Sequence, residues 1–198
     1  MSITSQIAIS EMFQRDLIDK TFLKSLTALS VLDHGPLRAK EFLEKYGIIL
    51  LYLPQYKKTY LDGAAFLRSD GTPIIIVTGR YDRLDNFWFV LLHELGHITL
   101  GHLSEDRPSL ADDMSLRGLA GEDAIEKEAD AFAEEALVPK DLHFDPQAPL
   151  SQSEVRMFAK KHELNPAILA GKIQFARKNY SVFRNLLGRG KVKECFVE

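Results

Sequence analysis

The chain has 198 residues, 45% hydrophobic and 27% charged, which suits one domain with a sizeable core, or such a domain with a small helical appendage. That composition excludes wholesale disorder and fibrous repeats, and the formal net charge of −3 argues against a general nucleic-acid binder. A lone cysteine, Cys195, excludes an internal disulfide and a thiolate metal cluster. With no signal-like N-terminal pattern and no bilayer-length apolar run, the sequence reads as soluble and cytoplasmic.

Taken in chain order, the segment from Glu11 to Ser30 carries Phe13, Leu17, Phe22, Leu26 and Leu29 at helical spacing, which predicts one or two amphipathic helices. His34-Gly35-Pro36 interrupts that pattern, and Pro36 suits the first turn of a second helix that Gly47 ends. Ile48–Leu53 is a short apolar, β-branched run stopped by Pro54 and reads as a strand. The turn signals Asp62-Gly63 and Asp70-Gly71 bracket GAAFL, and Pro73 opens a further strand, Ile74–Val77. That strand precedes the central helix and reads either as an ordinary core strand or, at a sheet edge, as one that could take up an extended peptide by β-addition; the two readings are compatible.

From Leu84 to Leu100, Leu84, Trp88, Leu91, Leu95 and Ile98 fall on one stripe, flanked by Phe89, Val90 and Leu100. A helix apolar nearly all round is a buried one, so His93, Glu94 and His97 on it need partners. Residues Ser104 to Asp123 read as an acidic loop, followed by a helix from Glu122 to Leu137 that stops at Pro139. Residues Pro139 to Ser153 read as an extended connection. Ser151 or Ser153 would cap the next helix, and Asn165-Pro166 starts another. The basic end, GRGKVKECFVE, is expected to be partly loose.

His93-Glu94-Leu95-Gly96-His97 is an H-E-x-x-H motif. Histidines four apart lie one turn above each other, so both imidazoles reach one point, and Zn²⁺ accepts neutral imidazole nitrogen there. Glu94 on the same turn suits a general base that takes the proton of the attacking water. A catalytic zinc needs a third protein ligand and an open position. With no further histidine at short spacing, a carboxylate on the Glu122–Leu137 helix is expected. Glu126 is the candidate, with Asp130 one turn later to accept the outer N–H of a ligand histidine. Glu128 flanks the same apolar stripe and is the rival, and Asp130 tips the choice to Glu126. His102 reads as an exposed histidine at a helix end, favoured by the dipole, though a polar contact near the metal is the other reading. Tyr60, Tyr81 and His143 are alternative donors to an oxyanion, and His34 and His162 are assigned nothing.

HELGH followed by Glu126-x-x-Ala129-Asp130-x-Phe132-Ala133, running on to Leu137-Val138-Pro139, resembles the ImmA/IrrE family of metallo-endopeptidases. The stretch YLDGAAF…YDRLDNFWFVLLHELGH is similar to the peptidase-like half of HigA-type regulators, in which a helix-turn-helix domain precedes this module. The resemblance covers Pro36 to the end. It implies an α+β, zincin-like fold, with a small, mostly antiparallel sheet packed on a central HExxH helix and with N- and C-terminal helices. It implies Zn²⁺ held by His93, His97 and Glu126, with Glu94 as general base, and a limited cut in a helix-turn-helix repressor or antitoxin. The domain organisation expected is a helical segment over 1–35, a metallopeptidase core over 36–140 and a helical extension over 141–198. A helix-turn-helix is not evident in the first 35 residues, so the chain reads as a stand-alone protein or the C-terminal piece of a longer regulator. EVRMFAKKHELNPAILAGKIQFARK imitates a helix-turn-helix, yet the acidic balance argues against DNA binding. A non-proteolytic antitoxin or regulatory module that keeps the metal site is the alternative function.

Overall fold

Helix α3, Leu84–Thr99, organises the fold, and its neighbours cover it on every side. The computed structural model describes residues 12–54, 61–104, 106–111 and 122–196. Of the sixteen residues of α3, Phe87, Trp88, Leu91, Leu92, Leu95 and Ile98 are almost wholly removed from water. Such burial of large side chains is the main source of stabilisation, roughly 1.5–3 kcal/mol for each one taken from water to core.

Before α3 come two helices and most of a sheet. Helix α1, Lys20–Ala28, starts at Asp19, whose carboxylate accepts the Phe22 N–H at 2.8 Å, and 3₁₀ turns flank it at Arg15–Leu17 and Leu29–Val31. Helix α2, Gly35–Glu44, carries Pro36 in its first turn, as expected. Strands β1 (Ile49–Leu53), β2 (Gly63–Leu67), β3 (Pro73–Thr78) and β4 (Ser109–Ala111) form one sheet in the order β1-β3-β2-β4. β1 and β3 are parallel, with Ile49 opposite Ile74, while β2 pairs antiparallel with β3 and with β4. The fold is therefore α+β and zincin-like, a small, mostly antiparallel sheet lying on α3.

The strand Ile74–Val77 is not an edge. β3 is hydrogen-bonded on both sides, by β1 and β2, so its backbone groups are already used and it takes no added peptide strand. Its four apolar residues are the mark of a central strand, with Ile74, Ile75 and Val77 buried. Strand β4 falls inside the stretch read as an acidic loop, whose residues 112–121 lie outside the described residues, as does Tyr60.

Behind α3 stand α4 (Glu122–Leu137), α5 (Gln152–Lys161) and α6 (Pro166–Arg177). The connection from Pro139 holds a single 3₁₀ turn, Lys140–Leu142. Ser151 is the cap of α5, in a reciprocal capping box with Glu154. Helix α6 buries Ala167, Ile168, Leu169, Ala170, Ile173 and Gln174 and packs on α3. The basic end is not loose up to Phe196. Helix α7, Lys191–Phe196, buries Val192 and stacks Phe196 on Tyr52 at 4.9 Å, while Asp82 accepts the N–H groups of Val192 and Lys193. Among the described residues no helix is long and apolar enough to cross a membrane.

Candidate metal centre

His93, Glu94 and His97 occupy the buried middle of α3, each 3% exposed or less. Their side chains are held there by the apolar residues between and around them. Two glycines then decide what comes close. A Cβ on Gly96 would lie 3.3 Å from the Ala129 Cα and 3.1 Å from the Phe132 ring, so the missing side chain is what lets α4 approach α3. A Cβ on Gly63 would lie 2.5 Å from Glu94 Oε1, which places the Glu94 carboxyl in the space that β2 leaves at that glycine.

The approach of α4 brings Glu126 and Asp130 to the two imidazoles, as the spacing predicts. His93 Nε2 and His97 Nε2 are 3.0 Å apart. Glu126 reaches both, with Oε2 at 3.1 Å from His93 Nε2 and Oε1 at 3.5 Å from His97 Nε2. Asp130 Oδ1 sits 2.9 Å from His93 Nδ1, on the outer side of that ring. His93, His97 and Glu126 each offer one ligand atom, and these atoms all lie within 4.8 Å of one another.

The electrostatics describe the same centre. Burial alone would push the His93 imidazole down, but hydrogen bonding to Asp130 and Glu126, with the Glu94 charge nearby, carries its pKa up to about 10. His97 goes the other way, to about 4, because it is buried and faces the His93 charge. At neutral pH one imidazole therefore carries a proton between two rings and a carboxylate. A metal cation held by the same set of lone pairs would supply that positive charge in place of the proton.

His102 is not the exposed helix-end residue expected. Its side chain is 8% exposed, its Nδ1 lies 2.9 Å from His97 Nδ1, and its Nε2 lies 3.0 Å from Glu128 Oε2. Thus Glu128, the rival ligand, meets His102 rather than the three-atom centre. The cause is the helix end. Gly101 at φ 77° reverses the chain, with Gly101 N–H on the Ile98 carbonyl and His102 N–H on the His97 carbonyl. These are the two bonds of a Schellman cap, which sets the residue after the glycine against the one five before it. The glycine with a histidine on either side at that spacing was the signal available in the sequence.

The remaining candidates stand elsewhere. Tyr81 lies under the Arg80 guanidinium at 5.1 Å, and His143 is exposed at the end of the 3₁₀ turn. Neither is among the residues that join the centre among the described residues.

Two imidazole nitrogens and one carboxylate oxygen fit a small divalent cation. Ligand atoms on a tetrahedral site with bonds near 2.0–2.1 Å are about 3.3 Å apart, close to the 3.0 Å between the two imidazole nitrogens and the 3.1 Å from His93 Nε2 to Glu126 Oε2. Comparison with known proteins bears on the same segment. The family model Peptidase_M78, described as the IrrE N-terminal-like domain, matches residues 43–173, which span the sheet, α3, α4 and most of α6. No curated protein matches the chain.

Proposed function

The chain belongs to the Peptidase_M78 family, and on that premise we propose that it is a zinc-dependent endopeptidase that makes a limited cut in a protein partner, a helix-turn-helix repressor or antitoxin. The observation that carries this reading is Glu94. The residue is 1% exposed, it adjoins the His93–His97–Glu126 set without belonging to it, and β2 leaves a glycine to accommodate it. A metal site serving only structure has no use for a buried carboxylate held back from the ligands.

His93 and His97 would hold the cation through Nε2 and Glu126 through its carboxylate. When bound, such a cation acts as a Lewis acid toward the scissile carbonyl and lowers the pKa of water to roughly 7. Glu94 is then the residue that accepts the proton of the attacking water and returns it to the departing amine. Asp130 fixes His93 by accepting its Nδ1–H, which leaves the Nε2 lone pair for the metal. The restricted space around a base lodged between α3 and β2 supports a selective cut rather than general digestion.

The test pairs two measurements. Metal analysis of the purified chain should return one zinc per chain. Glu94→Gln should keep that zinc and lose roughly 10²–10⁴-fold in cleavage of a co-expressed helix-turn-helix partner, the usual range for a lost general base. Unchanged biological activity in Glu94→Gln would instead establish a non-proteolytic binding module.

A further inference from the structure

The two histidines of the centre must both present a bare Nε2, so each must carry its single proton on Nδ1 and find an acceptor for it. His93 finds Asp130. His97 finds another imidazole, which can donate as well as accept, and the contact of Nδ1 with Nδ1 at 2.9 Å leaves the direction of that bond to whatever lies beyond His102.

Beyond it lies Glu128, with Oε2 3.0 Å from His102 Nε2. A carboxylate only accepts, so His102 must carry its proton on Nε2. Its Nδ1 then has a lone pair and can only accept from His97, whose Nε2 is left bare. One proton per ring satisfies every contact in the row, with none left over. The row is also built from two independent elements: the Schellman cap at Gly101 turns His102 back onto His97, while α4 brings Glu128. At 100° per residue Glu128 lies on one flank of Ala129, the point of close approach, and Glu126 and Asp130 lie on the other. Helix α4 thus straddles α3, reaching the outer nitrogen of His93 directly and that of His97 by way of His102.

We propose that His102 and Glu128 are positioning residues, in which Glu128 fixes the tautomer of His102 and His102 thereby fixes His97 with Nε2 turned to the metal. This rests on the metal-site reading above. His102 stands on the far side of the His97 ring from the cation, so it acts through His97 and is not a ligand.

The experiment uses the full chain, with zinc affinity measured by chelator competition and imidazole tautomers read from ¹⁵N shifts of the metal-free protein at neutral pH. His102→Phe should weaken zinc binding about 10- to 100-fold, the usual cost of losing an outer partner of a metal ligand. His102→Asn offers a carbonyl oxygen to the same N–H and should recover affinity to within about threefold of the parent. Glu128→Ala, at a side chain 64% exposed, leaves the fold intact and should weaken zinc by about threefold to tenfold while His97 loses its fixed Nδ1–H form. His102→Phe holding zinc as the parent does, His102→Asn no better than His102→Phe, or a parent His97 protonated on Nε2 would each overturn the proposal. A parent chain that takes up no zinc would sink the metal-site reading alone, because the metal-free tautomers still decide the role of His102 and Glu128.

Discussion

Helices α3 and α4 are each sixteen residues long and both contribute to the centre, yet they do so from opposite environments. Helix α3 is surrounded by protein, and its His93 and His97 side chains are 4% and 2% exposed. Helix α4 buries a narrow stripe of Ala129, Ala133, Ala136 and Leu137 and keeps Glu126, Asp130 and Glu128 at 21%, 45% and 64% exposure. The buried helix sets the geometry, since its side chains have nowhere else to go. The exposed helix supplies charge that folding does not have to desolvate in full. Burying three carboxylates would cost far more than leaving them at the rim.

If the closeness of the two helices matters as described, Gly96→Val breaks the comparison most severely. The new side chain meets Ala129 and Phe132 at van der Waals distance or less and forces α4 away. A loss of roughly 1–3 kcal/mol in denaturant-induced unfolding is expected, together with loss of stoichiometric zinc. Retention of both would show that α4 is held elsewhere.

Gly63→Ala acts at the same centre from the sheet side. Its Cβ would stand 2.5 Å from both Glu94 Oε1 and Val90 Cγ1, so the base must move. Cleavage of the partner should fall by about tenfold to a hundredfold with zinc content unchanged, as for a small misplacement of a reacting group.

Substitutions on the two helices should then separate stability from metal affinity. His93→Ala leaves Asp130 without its imidazole partner and Glu126 with His97 alone, and should lower both zinc affinity and metal-free stability. Glu126→Ala should remove zinc binding while changing metal-free stability by less than about 1 kcal/mol, as for partly exposed ion pairs. Equal losses from the two variants in metal-free melts would erase the distinction between the helices.

A pH dependence belongs to the same comparison. The folded pKa of His93 is raised to about 10, so its stabilisation of the metal-free protein is complete below about 6.5 and fades as pH rises toward 10. His97, held down to about 4, has the opposite sense: unfolded chains take up its proton first, so stability falls as pH drops from about 6.5 to 4. Thermal melts of the metal-free protein should therefore peak near pH 6.5, and bound zinc should remove the alkaline decline. A flat profile in the metal-free protein would mean the two imidazoles do not share a proton.

Much of the centre was legible because helical periodicity is a property of the chain. His93 and His97 on one face, the apolar surround that buries them, and Glu126 and Asp130 at matching spacing all follow from 3.6 residues per turn. Strand order was not legible, because Ile74–Val77 reads the same in the middle of a sheet as at a covered edge, and only pairing with β1 and β2 tells them apart. The tail ending in Phe196 reads as basic and loose because its anchors, Tyr52 and Asp82, lie more than a hundred residues away.

The sequence by itself thus determined the family, the ligand-bearing helix and the chemistry those residues are fit for, since each depends on local spacing and on the donor atoms a side chain owns. Spacing favoured Glu126 and Asp130, and tertiary structure decided which nitrogen each one meets and brought His102 and Glu128 into the row. Glu126, Glu128 and Asp130 differ little as sequence, and they are sorted by where Gly96 lets one helix touch the other and by where Gly101 turns His102 back. Contacts between distant segments depend on how closely two backbones approach, a quantity no periodicity encodes.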